Sequence, residues 1–243
     1  MKILRSGIVF ICLCFLGFLT GSVTVHADLK DLFGALTGGS SIQKDEEAQR
    51  LGTVFLGEKA IHLGDTPEQI HAVLGEPEDQ WTMGSTLTES YPGLGIFYRD
   101  YWKLSQKYSW VHSSAHGEGE DYHAAMISIL PPKDVSGIIA PYTTADGLKI
   151  YDFAPALEKC GTVFAYSQGE QNEIVDYNQI YYGEYYTLED WKQKQDELKM
   201  GGDPEAYAKA QMEVVRVWYA MDHEKNQVRR IDVGDEMMAM YMR

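Results

Sequence analysis

The stretch Leu63 to Pro77, LGDTPEQIHAVLGEP, limits the fold more than any other part of the chain. Thr66 is placed to cap a helix, Pro67 suits the first helical position and Gln69 the third, which together make a capping box. Ile70, Val73 and Leu74 fall on one face. Gly75 supplies a left-handed stop, and Pro77 bars continuation. The spacing predicts a helix of two turns. A helix this short is marginal alone, so its apolar stripe must dock on a larger surface.

That surface follows directly. WTMGSTL, GLGIFYRDYW, KLSQKYSWVHSS and YHAAMISIL are aromatic and β-branched runs broken by Gly, Ser and Pro, and they read as strands of an antiparallel meander. Pro92-Gly93 marks a turn, and Pro131-Pro132 ends the last strand. The same grammar returns later. Leu148 and Ile150 match Ile61 and Leu63, and Asp152 matches Asp65. The stripe Ala156, Leu157 and Cys160 follows, then Gly161. Further strands lie in IVDYNQIYYGEYYTL, EVVRVWYAMD and QVRRIDVGD, the last two joined as a hairpin through His223–Asn226. Residues 187–212 interrupt this copy with two helices, one capped by Thr187 and one by Asp203 with Pro204 at N1.

These readings give an α+β protein of two related units, 57–133 and 134–243. Each has short helices packed on antiparallel β-meander sheets, with a helical insertion in the second. Residues 28–56 read as a flexible leader, charged and rich in Gly and Ser. The string Leu63-Gly64-Asp65-Thr66-Pro67 with Leu74-Gly75-Glu76-Pro77 resembles the signature of the SmpA/OmlA-like outer-membrane assembly lipoproteins and the secreted β-lactamase inhibitor proteins. The resemblance covers 57–133 closely and 138–233 more loosely. Tyr151 stands for the first glycine of the signature in the second copy, and Val163 for its proline. It implies helices on an antiparallel sheet and a role in binding other proteins. The motif residues are cap, stripe and stop, and they carry no binding residues over.

Residues 1–27 read as a secretory signal peptide: Lys2 and Arg5, an apolar core, then Val25 and Ala27 at the cleavage positions. The expected location is secreted or periplasmic, with no membrane anchor after cleavage. Cleavage removes two basic residues and no acidic one, so the exported chain is more acidic than the formal net charge of −15. Such a surface repels phosphate backbones, which argues against nucleic acid and leaves a basic partner or a cation open. Cys12 and Cys14 leave with the signal. Cys160 alone allows no internal disulfide, and its setting is that of a small buried hydrophobe.

Two constellations merit attention as chemistry. WVHSSAHGEGEDYH gathers His112, His116, Glu118, Glu120, Asp121 and His123, whose ligand types suit a divalent metal. The segment is also what a solvated polar loop looks like. A metal site or metal-dependent hydrolase on His112, His116 and His123 is therefore the alternative reading, and no cofactor is the leading one. In YNQIYYGEYY, strand alternation puts Tyr181 and Tyr185 on one face and Tyr182 and Tyr186 on the other. An exposed tyrosine face would serve as a platform for a protein or a glycan. Tyr181 and Tyr185, with Trp102 and Trp110, are the candidate binding residues. The sequence has no G-x-S-x-G elbow, Walker loop, dinucleotide fingerprint or Cys-x-x-Cys pair. The expectation is a non-enzymatic protein that binds another exported or envelope protein through a sheet face or the cleft between units.

Overall fold

The computed structural model describes residues 46–115, 120–131, 141–167 and 174–241. Residues 1–27, read as a signal peptide, the first part of the leader, His116 and Glu118 lie outside the described residues. Two sheets and seven helices make an α+β fold among them. A small sheet has the order β2 (Lys59–His62), β1 (Thr53–Leu56), β7 (Tyr142–Thr144). The large sheet has nine strands, every pair antiparallel. Its first half is a meander of β3 (Asp79–Met83), β4 (Thr86–Tyr91), β5 (Leu94–Asp100) and β6 (Tyr122–Ile129). The second half comprises β8 (Phe164–Ser167), β9 (Ile174–Tyr181), β10 (Tyr185–Tyr186), β11 (Val215–Asp222) and β12 (Gln227–Gly234). Both β8 and β10 pair with β9. Among the described residues no helix is long and apolar enough to cross a membrane.

The short helix forms as its sequence requires. It is α2, Pro67–Leu74, with Thr66 as N-cap and both bonds of the capping box in place: Thr66 N donates to Gln69 Oε1 at 2.8 Å and Gln69 N to Thr66 Oγ1 at 3.4 Å. Ile70 is fully buried. Gly75 ends the helix with φ 86° and ψ −169°, a conformation closed to residues with a Cβ rather than the left-handed helical one expected. The second-half helix α4, Ala154–Glu158, is shorter, and Phe153 at its N-cap offers no side-chain bond.

The two halves nonetheless share their main-chain bonds. Gly64 N donates to Ala124 O and Ala124 N to Asp65 O, both at 2.8 Å. Tyr151 N donates to Val228 O at 2.7 Å and Val228 N to Asp152 O at 2.9 Å. Asp65 and Asp152 each accept from the backbone N–H three residues earlier. Gly64 and Tyr151 both have positive φ, 96° and 69°, which a tyrosine adopts only under strain.

The two meanders meet edge to edge. β6 pairs with β12, with Ser128 opposite Asp232 and Met126 opposite Gly234. One buried face carries the main core, including Leu94, Ile96, Ile127, Ile129, Ile231 and Val233. Ile70 of α2, Val54 and Ile61 of the small sheet, and Leu157 of α4 cover it. A Cβ at Gly234 would sit 2.9 Å from Met126 Cγ and 3.0 Å from Ala125 O. Gly234→Ala is expected to destabilise by about 1–3 kcal/mol through overpacking at this junction. Urea denaturation measures it, and an unchanged midpoint would show that the junction is looser than the distances imply.

Three sequence expectations change. KLSQKYSWVHSS is not a strand. Asp100 accepts from Lys103 N and starts a short helix, α3 (Tyr101–Ser105), and a loop follows. The leader's last part, 46–56, belongs to the folded body: α1 (Glu46–Leu51) buries Ala48 and Leu51. A final helix, α7 (Glu236–Tyr241), was not anticipated. The insertion forms as read, as α5 (Leu188–Met200) and α6 (Pro204–Glu213), capped by Thr187 and Asp203.

Candidate functional site

The tyrosine platform is not free. Tyr181 is buried and clusters with Ala48 and Leu51 of α1. The Tyr185 hydroxyl donates to Glu47, and its ring meets Tyr181 edge-on at 5.1 Å. On the opposite face Tyr182 and Tyr186 pack against Trp191 of α5. Helices cover both faces, and α1 does so because its small apolar stripe fits the tyrosine rings. Trp102 on α3 and Trp110 in the following loop are half-buried, and neither lies on a strand as its run was read.

A charged clip holds α1 in place. Arg50 donates to Glu47 at 2.7 and 2.9 Å and to Asp146 at 2.6 Å. The Arg50 bonds, helped by Tyr185, hold the Glu47 pKa down at about 2. The unfolded carboxylate titrates near 4.5. A depressed carboxylate stabilises fully above its unfolded pKa and loses that stabilisation as pH falls through the folded one. The stability difference between wild type and Glu47→Gln is therefore expected to be level above pH 4.5 and to close toward pH 2. Denaturant titrations across that range check it, and a difference that persists undiminished at the acid end contradicts it.

Among the described residues of the histidine loop, His123 and Asp121 act as braces. His123 Nδ1 lies 2.8 Å from Gly64 O and Nε2 2.9 Å from Asp121 Oδ1, so both ring nitrogens are engaged. Asp121 also accepts from Ser113 Oγ, Ser114 N and Ser114 Oγ. His112 is exposed. Among the described residues no three His, Cys, Asp or Glu side chains converge as metal ligands. Cys160 is half-buried, and burial with the nearby Asp146 raises its thiol pKa.

A different place stands out. Between α2 and the edge strand β3 lies a cavity of about 410 Å³ lined by Pro67, Glu68, His71, Gln80, Thr82 and Tyr122, with Trp81, Leu87 and Glu120 completing it. Glu68 and His71 reach it because positions three apart share a helix face. Gln80 and Thr82 reach it because they are in step with Glu89 and Leu87 across the β3–β4 ladder. Under its floor sits Glu89, fully buried. It accepts from His71 Nε2 at 2.9 Å, Gln80 Nε2 at 3.3 Å, Tyr91 OH at 2.9 Å and Tyr98 OH at 2.6 Å. Burial first, and then the Glu89 carboxylate, push both phenols well above the usual tyrosine range.

The walls are acidic. The Glu68 carboxyl is held below its ordinary range by its own backbone N–H at the start of α2 and by the Thr66 hydroxyl. Glu120 stands beside Tyr122, where burial and that carboxylate raise the phenol's pKa. The Tyr122 hydroxyl is buried, and it completes no hydrogen bond of good geometry although Thr82 approaches it. His71 spends Nε2 on Glu89, and its Nδ1 lies 3.9 Å from Glu76. Glu89 was the readable signal missed: a carboxylate in step with the inward residues Leu87 and Tyr91. No family model, no curated protein and no solved structure matches the chain.

Proposed function

We propose that the chain is an exported, non-enzymatic binding protein whose partner is another secreted or envelope protein, taken up at the β3 edge by strand addition. One observation carries this reading. All five residues of β3 are exposed, and among the described residues no strand pairs with its outer side. Natural sheets usually guard such edges with lysine, proline or a covering segment. This one presents DQWTM, with Trp81 46 % and Met83 78 % exposed. Open edges of this kind take extended peptides through main-chain hydrogen bonds. The signal-like 1–27 segment and the resemblance of 57–133 to exported protein-binding families support the same reading.

A benzophenone amino acid at Met83 tests it against one at Met200, which is 80 % exposed on α5. Expressed with its natural signal and irradiated in the source cells, the Met83 variant is expected to give one defined protein adduct. The Met200 variant should give at least ten-fold less. Equal labelling, or none, removes the proposal.

A further inference from the structure

We infer that the acidic groove beside β3 selects an extended segment in which lysine or arginine alternates with apolar residues, the cationic side chain entering between Glu68 and Glu120. This rests on the strand-addition reading and adds the chemistry of the partner. Side chains of an added strand alternate between the two faces of the sheet. On the groove side they meet Gln80 and Thr82, with Glu68 and Glu120 in the walls. On the other side they meet Met83, apolar and exposed, and Trp81, exposed and also bordering the groove. One face therefore suits a cation and the other an aliphatic or aromatic side chain, in strict alternation.

Two further observations point into the groove. Tyr122 is only 8 % exposed, and its buried hydroxyl lacks a hydrogen bond of good geometry. A buried polar atom short of a good hydrogen bond is costly to folding, and a ligand donor would recover part of that cost. Its oxygen accepts an ammonium or guanidinium N–H while its proton turns toward Glu120. The second is the fate of the local bases. His71 is bonded to the buried Glu89, and Lys103, the cation acting on Tyr122, is tied to Asp100 at 3.3 Å and to Gly84 O at 3.1 Å. The groove carboxylates thus keep their charge available to an incoming cation. The formal net charge of −15 draws a basic segment in from a distance.

The test uses the full exported chain and two extended peptides, one alternating lysine with valine and the other with norleucine in place of lysine. Calorimetry is expected to give at least ten-fold tighter binding of the lysine peptide, weakening as salt rises. Glu120→Gln and Tyr122→Phe should each lower its affinity several-fold and leave any norleucine-peptide binding unchanged. Thermal melting confirms that each variant is folded. If Tyr122→Phe does not fold, Glu68→Gln takes its place. Equal affinity for the two peptides, no binding of the lysine peptide, or indifference to Glu120→Gln overturns the inference. If the Met83 cross-link still captures its partner in that case, strand addition stands and only the cationic preference falls.

Discussion

Glu89→Ala is expected to cost about 3–5 kcal/mol of folding stability, the range found when one member of a buried charged set is removed. The carboxylate is fully buried and receives four hydrogen bonds, two from phenols, one from an imidazole and one from an amide. Its loss strands the Tyr91 and Tyr98 hydroxyls inside the main core. It also unties His71 from the sheet, and with it the side of α2 that walls the groove. Urea denaturation should show the loss in the midpoint with little change in slope. Replacing all the buried partners together is less harmful than stranding some of them. The triple variant Glu89→Leu, Tyr91→Phe, Tyr98→Phe is therefore expected to recover at least half of the loss. A cost for Glu89→Ala below about 1 kcal/mol, the net worth of one ordinary hydrogen bond, would show that the network does not act as a unit.

Asp235→Ala is expected to cost a similar amount, about 3–5 kcal/mol, for a different reason. Arg99 on β5 donates to both Asp235 oxygens, at 2.6 and 2.8 Å, and both side chains are buried. Asp235 also accepts from Met238 N and so caps α7. Removing it leaves a buried guanidinium without its carboxylate and an open helix start, the latter worth about 1 kcal/mol alone. The pair links the first meander to the end of the second, so the loss should appear in global denaturation. Hydrogen exchange should show α7 losing protection more than β5 or β12, since α7 loses its cap as well. Uniform loss across all three would mean that the cap contributes nothing separate.

The pattern of what was legible follows from the range of the forces. The caps at Thr66, Thr187 and Asp203 are bonds between residues two or three apart, and they form where the sequence puts them. The hairpin that joins β11 to β12, with Asp222 opposite Gln227, is equally local. The run at Lys103–Ser114 misled because its β-branched and aromatic content suits a strand, whereas the Asp100 cap turns the chain into a helix before any ladder forms. The tyrosine face misled because alternation tells which residues share a side and not what lies over that side. The helix over it comes from a segment more than 130 residues earlier, through Glu47 and Tyr185. Proximity in sequence alone does not tell which partner an imidazole takes. His123 turned to Gly64 and Asp121.

By itself the sequence determined the α+β class, the capped helices and the helical insertion, because each depends on φ/ψ preference, capping or periodicity within a few residues. Tertiary structure decided which edge stays open, which aromatic face is covered and where a carboxylate ends among phenols. Those outcomes depend on pairing between strands and helices far apart in the chain, such as β6 with β12 and α1 with β10. The free energy that chooses among such pairings is burial summed over the whole core, which no local pattern records.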